Sequence, residues 1–204
     1  MISCDEKTGI QALSREITPM KAGQCERQDH EYERHGTQCL IANFEIATGK
    51  IIEPTIGDTR TEHDFVSHIE KTIAIDPQGE WLFVIDNLNT HRSEGLVKLV
   101  AEKCEIAEDL GVKGESGILK NMETRSEFLE DKTHRIRFIF TPKHASWLNQ
   151  VEIWFSILVK RLLKRLSVAS TEELKSKIFE FISFFNHTMA KPFKWTYKGK
   201  VLSI

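Results

Sequence analysis

Apolar positions along this chain change period several times, and each change marks an element. Phe65, Val66, Ile69 and Ile73 recur at helical spacing, which predicts an amphipathic helix over Thr61 to Ile75 that stops near Asp76-Pro77. Trp81 to Ile85 is instead a continuous apolar run of strand length, as expected for a central strand buried on both faces. The helical period returns after Ser93, a good N-cap, in the stripe Leu96, Val97, Val100 and Cys104. Arg135 to Phe140 reads as another strand, closed by Thr141-Pro142. Trp147, Val151, Trp154, Phe155, Leu158 and Leu162 then mark a long helix capped by Ser146. Ser170-Thr-Glu-Glu173 has the capping-box pattern and leads into Leu174, Ile178, Phe181, Ile182 and Phe185.

Before residue 60 the signals are those of strands and turns. Gln38 to Glu45 and Lys50 to Glu53 flank Ala47-Thr48-Gly49, a hairpin with Gly49 supplying the turn. Met1 to Cys4 is read as the end of a strand that delivers Asp5, and the polar stretch Thr18 to Arg34 as a long loop. Glu105 to Thr133, rich in Glu, Asp, Gly and Lys, interrupts a helix-to-strand connection. Its length predicts an insertion before the last core strand, with a short helix around Lys120 to Asp131. Strand, hairpin, helix, strand, helix, strand, helix describes an α/β chain, a mixed sheet covered by helices. The pattern alone does not separate one such sheet from another.

Composition narrows the setting. At 204 residues, 40% hydrophobic and 28% charged, the chain can bury one sizeable core, so residues 1–204 are read as a single domain carrying the 105–133 insertion. No apolar run approaches the roughly 18 residues of a membrane span, and the first residues lack the regions of a signal peptide, so a cytoplasmic protein with no membrane partner is expected. Cys4, Cys25, Cys39 and Cys104 form no C-x-x-C pair, which argues for reduced thiols; Cys4 and Cys104 fall in apolar patterns and read as buried structural residues. Charge is uneven. Residues 153–204 carry ten Lys/Arg against three Asp/Glu, a net of +7, which leaves −9 for residues 1–152 of a chain whose total is −2. Basic residues on a helix are most often a solvated face, but a patch of this sign also supplies the sequence-independent part of DNA affinity.

Three acidic residues stand beside strongly patterned apolar segments: Asp5 after Ile2-Ser-Cys, Asp86 at the end of Trp81-Leu-Phe-Val-Ile, and Glu152 in Trp147-Leu-Asn-Gln-Val-Glu152. A single Asp after a strand is usually a turn or cap residue. Three are another matter, because carboxylates are the ligands hard divalent cations prefer, and phosphoryl transfer assisted by paired ions needs about three of them converging. Asp86-Asn-Leu-Asn-Thr-His91 followed by Thr141-Pro-Lys-His-Ala-Ser-Trp-Leu-Asn-Gln-Val-Glu-Ile-Trp-Phe155 closely resembles the catalytic core of DDE-type transposases, in the insertion-sequence branch related to the mariner elements. The resemblance also runs through Asp5-Glu-Lys-Thr-Gly-Ile-Gln-Ala12, Glu33-Arg-His-Gly-Thr37 and Lys191-Pro-Phe-Lys-Trp-Thr-Tyr197.

That resemblance implies a ribonuclease H-like fold and a prokaryotic mobile-element enzyme that cleaves DNA strands and transfers them at transposon inverted repeats. It implies Asp5, Asp86 and Glu152 as catalytic residues and metal ligands for two Mg²⁺ ions, with Mn²⁺ as substitute, Asp5 bridging both. Its partners would be double-stranded DNA, at transposon ends and target, and a second copy of the chain in an active homodimer. Relatives carry an N-terminal helix-turn-helix region, and nothing here supplies one, so it is expected to be separately encoded or lost from a truncated copy.

His91 and Asn149 are accessory candidates. His91 either touches the scissile phosphate or orients a ligand, or is a satisfied loop histidine; Asn149 either caps the helix, the favoured reading, or touches DNA. Lys160, Lys164 and Arg165 are the candidate DNA-binding residues, placed on the helix that carries Glu152. Trp147, Trp154 and Trp195 are read as core anchors, and His30 and His35 as surface groups. Two rivals remain open: another nuclease on the same fold, and a catalytically silent transposase remnant that binds DNA or a protein partner.

Overall fold

Strand β1 (Ile2–Ser14) runs down the middle of a five-stranded sheet of order β5-β4-β1-β6-β7 in the computed structural model, which describes residues 1–15, 17–18, 27–28, 31–142 and 145–194. Strands β4 (Glu33–Glu45) and β5 (Lys50–Gly57) pair antiparallel on one side of it, and β6 (Trp81–Ile85) and β7 (Ile136–Phe140) pair parallel on the other. A separate two-stranded ribbon joins β2 (Ile17–Thr18) and β3 (Arg27–Gln28) inside the stretch read as loop. The rest of Thr18 to Arg34, with His30 and Cys25, lies largely outside the described residues, as does Trp195. This is the α/β, ribonuclease H-like arrangement: three antiparallel strands continued by two parallel ones, with helices on both faces.

Asp5 was expected at the end of a strand, yet β1 continues nine residues beyond it, to Ser14. What ends near Asp5 is the parallel ladder, whose pairs are Ile2 with Phe83 and Ser3 with Val84. The antiparallel ladder to β4 carries the strand onward, through a register shift between Lys7 and Ile10. Gly9 sits in that shift at φ +69°, in the left-handed region that glycine tolerates. Gly49 closes the β4–β5 hairpin at φ +73°, and a Cβ there would lie 2.0 Å from the Lys191 carbonyl oxygen, so the turn excludes any larger residue.

Period-2 alternation divides the core between two faces. Ile2, Cys4 and Ile41 pack with Phe65, Ile69 and Ile73 of α1 (Glu62–Ile73) and with Leu96, Val97 and Val100 of α2 (Glu94–Lys103). Leu40, Ala42, Phe44, Ile10 and Ala12 pack instead against Val151, Trp154, Phe155 and Leu158 of α4 (Val151–Arg161) and Leu174, Ile178, Ile182 and Phe185 of α5 (Thr171–Thr188). The helix starts follow their local chemistry. Thr61 and Asp64 form a reciprocal capping box and Ser93 accepts from the Leu96 N–H, while Ser170 accepts from the Glu173 N–H. The Glu173 carboxylate, however, accepts from Ala169 N rather than completing the box. The 105–133 segment contributes α3 (Met122–Glu130), and Leu119, Phe128 and Leu129 of this segment are buried in the α1–α2 core.

The Glu152 helix departs from expectation at both ends. Ser146–Leu148 forms a one-turn 3₁₀ helix of its own, so Ser146 caps nothing, and α4 begins only at Val151. Trp147, read as a core anchor, is 47% exposed; Trp154 is fully buried as expected. At the other end the chain leaves α4 through Leu162 into a second 3₁₀ turn, Leu163–Arg165. Lys160 is therefore on the Glu152 helix, but Lys164 and Arg165 are on the turn after it. No helix among the described residues is long and apolar enough to cross a membrane.

Candidate active site

Alternation along β1 assigns its polar residues to opposite sides of the sheet. Ser3, Asp5 and Lys7 face α4, while Cys4 and Glu6 continue the row that faces α1 and α2. The α4 side is assembled through Ser3. Its hydroxyl donates to Asn149 Oδ1 and accepts from the Val151 N–H at 2.8 Å, satisfying one of the unpaired amides at the start of α4. Asn149 Nδ2 donates to the Cys4 carbonyl oxygen at 2.8 Å and lies 3.4 Å from Asp5 Oδ2. Asn149 is thus fully buried. Its side chain does not cap α4; it fastens the Glu152 helix to the strand that bears Asp5.

Asp86 follows the last residue of β6. Its Oδ1 accepts from the Leu88 N–H at 2.9 Å and lies 2.8 Å from His91 Nδ1, while Oδ2 has no hydrogen bond among the described residues. His91 sits in the one-turn 3₁₀ helix Asn89–Arg92, fully buried, with its ring 4.2 Å from that of Phe65. Its Nε2 lies 3.2 Å from Glu6 Oε1. Of the three readings of His91, this placement fits an orienting group or a satisfied buried histidine, since both ring nitrogens are engaged by carboxylates. The same loop is tied to β7 by Asn87, which donates to the Thr141 carbonyl and accepts from Arg92, whose guanidinium lies 4.2 Å from the centre of the Phe140 ring.

Asp5 feels the other two carboxylates. Burial, together with the charges of Asp86 and Glu152, pushes Asp5 up from the ordinary 3.8 to about 7, against the lowering effect of the Glu6 N–H and of His91. Asp86 behaves oppositely. Burial would raise it, but hydrogen bonds from His91 and Leu88 outweigh that and hold it below its usual value. Burial likewise opposes charge on His91, yet its bonds to Asp86 and Glu6 push it up to about 9, an imidazolium between two carboxylates. Among the described residues no three His, Cys, Asp or Glu side chains stand in metal-ligand geometry. The donor chemistry nevertheless fits a hard divalent cation: Asp5, Asp86 and Glu152 offer oxygen ligands only.

Beside Glu152 a surface cleft is lined by Lys7, Phe155, Ser156, Val159 and Lys160. Lys160, Lys164 and Arg165 are all exposed. Sequence reasoning missed Ser3, Glu6 and Lys7. The signal was available in the alternation, since i±2 from Asp5 gives Ser3 and Lys7 on its own face and i+1 gives Glu6 on the other.

A family model for the DDE superfamily endonucleases matches residues 1–175. No curated protein matches the chain.

Proposed function

Because the chain belongs to the DDE superfamily of endonucleases, we propose that it acts as a transposase catalytic domain, cutting DNA strands at transposon inverted repeats and joining them to target DNA. DDE endonuclease domains generally use divalent metals and act on DNA. In this chain Asp5, Asp86 and Glu152 would hold Mg²⁺, or Mn²⁺ in its place. When bound, the ions polarise the scissile phosphate and lower the pKa of the attacking water or 3′-hydroxyl.

The protein's own groups do the rest. Asp5 supplies the most buried of the three proposed ligands, on a central strand that gives it little freedom. Asp86, with Oδ1 fixed by His91 and the Leu88 N–H, presents Oδ2 as its free oxygen. Glu152 enters from the first turn of α4. Lys7 and Lys160, flanking Glu152, would hold the phosphates on either side of the cut strand; Lys164 and Arg165 would extend that track.

The observation that most supports this reading is the match of residues 1–175 to the DDE superfamily endonuclease model, with Asp5 buried on β1 where Asn149 ties down the start of the Glu152 helix. The activity would require a symmetric dimer, matching paired ends, and a helix-turn-helix domain to read them. The test is strand cleavage of an end-labelled inverted-repeat duplex in Mg²⁺, beside a scrambled duplex. Cleavage should vanish in Asp5→Ala, Asp86→Ala and Glu152→Ala while each variant stays folded. These residues alone should bind both duplexes weakly and about equally. Metal-dependent cleavage that survives any of the three substitutions would overturn the assignment, and strong preference for the repeat would place end recognition within this domain.

A further inference from the structure

Glu6 is an acidic residue that the proposed chemistry leaves unused, and its side chain is 2% exposed. A carboxylate taken out of water carries a penalty of several kcal/mol unless it is paired, so a buried Glu next to a candidate ligand calls for a reason. Its direction rules out membership of the ligand set. Asp5 faces α4 and Glu152, while Glu6, one residue on, faces the opposite side and meets His91 Nε2 at 3.2 Å.

Resting on the proposed metal site, we infer that the Glu6 side chain is a positioning group that sets the Asp86 ligand through His91. Its carboxylate holds one ring nitrogen of His91 while Asp86 Oδ1 holds the other at 2.8 Å. With both nitrogens engaged and the Phe65 ring tilted against it, centre to centre at 4.2 Å, the imidazole has one orientation. The ring then fixes Asp86 Oδ1, and the remaining oxygen is the one left to a ligand. Without the Glu6 carboxylate, Nε2 would be buried with no partner, the ring would be free to turn about its χ2 bond, and Asp86 would lose its fixed orientation. Groups that orient metal ligands in this way typically change metal affinity by about 10–100-fold when removed.

The experiment titrates the full chain with Mn²⁺, following free Mn²⁺ by electron paramagnetic resonance, in wild type, Glu6→Ala, Glu6→Asp and Glu6→Gln, with Asp86→Asn as reference. Thermal melts and ¹⁵N spectra of the His91 ring accompany each. Glu6→Ala should weaken Mn²⁺ binding about tenfold or more. Glu6→Asp keeps the charge but is one methylene too short to reach the ring, and should weaken it similarly, which covers the case of an alanine variant that does not fold. Glu6→Gln keeps a hydrogen-bonding group at Nε2 and should recover most of the affinity, with the Asp86 contact visible in the ring nitrogen shifts.

If Glu6→Asp, or a folded Glu6→Ala, bound Mn²⁺ as tightly as wild type, or if the variants lost affinity only in proportion to lost folded protein, the positioning role would be refuted. Failure of the metal site itself looks different: Asp86→Asn would then also bind Mn²⁺ like wild type, or wild type would not bind it.

Discussion

Asp86 is held by side-chain chemistry, with His91 Nδ1 at 2.8 Å and the Leu88 N–H at 2.9 Å, whereas the Glu152 carboxylate takes no hydrogen bond among the described residues and is placed only by how α4 docks. The first arrangement is a buried polar chain, Glu6–His91–Asp86, behind β6. The second is an apolar bed, Val151, Trp154, Phe155 and Leu158 against β1 and β4, pinned at its start by Ser3 and Asn149. Two carboxylates proposed for one site can therefore fail in separate ways. Asp86 is vulnerable to loss of a hydrogen bond, Glu152 to any shift of its helix.

The largest effect should come from the ligands themselves. Asp86→Asn and Glu152→Gln are each expected to reduce strand cleavage by about a thousandfold or more in a single-turnover assay, the scale of a lost electrostatic contribution to phosphoryl transfer. Near-normal turnover in either variant would separate the two sides of the site and break the comparison.

Next comes the bed under Glu152. Trp154 is fully buried between Phe155 and Phe185, and Trp154→Ala should destabilise the fold by about 3–5 kcal/mol in urea unfolding. A change below about 1 kcal/mol would show that α4 is not held by this packing. Asn149→Ala should lower stability by about 1–3 kcal/mol, because the Cys4 carbonyl and the Ser3 hydroxyl lose a buried partner.

These two residues also mark how much could be read from the sequence. The strand β6, the helix starts at Thr61, Ser93 and Ser170, and the candidate carboxylates were legible, because each is written in a local run of residues or in a motif. Trp147 was not. It shares the helical spacing of Trp154, but Ser3 and Asn149 bring the chain onto β1 four residues later than the periodicity suggested, and the preceding turn is left outside the core. The placement of Lys164 and Arg165 on that helix failed for a related reason: α4 ends at Arg161, and an apolar stripe running on through Leu162 does not announce that break. Glu6 and His91 meet across 85 positions in the chain, a contact no local pattern encodes.

A smaller effect tests the electrostatics between the two sides. The unfolded Asp5 titrates near 3.8, but the folded one near 7, chiefly through burial and then through Asp86 and Glu152. Between those values the folded chain keeps a proton that the unfolded chain has released, so stability falls as pH rises through the window, and the loss is complete above about 7. Asp5→Asn should therefore raise the melting temperature of the metal-free protein by on the order of 5 °C at about pH 8, and hardly at all at about pH 3.5. An equal gain at both pH values would assign the effect to packing, not to shared charge.

The smallest effect belongs to the basic surface beyond Glu152. Reversing the charge of Lys160, Lys164 and Arg165 together should weaken duplex binding about tenfold at low salt and flatten its salt slope by about two to three, one unit per lost phosphate contact. An unchanged slope would make this patch a solvated face.

If Asp5, Asp86 and Glu152 hold one divalent-metal centre, anomalous diffraction from crystals grown with Mn²⁺ and a short duplex will reveal it. Mn²⁺ peaks are expected within about 2.5 Å of oxygens from all three residues, with the Asp86 contact made by Oδ2 while Oδ1 stays on His91. Peaks that engage Asp5 and Asp86 but leave Glu152 beyond coordinating distance on a bound duplex would contradict that centre.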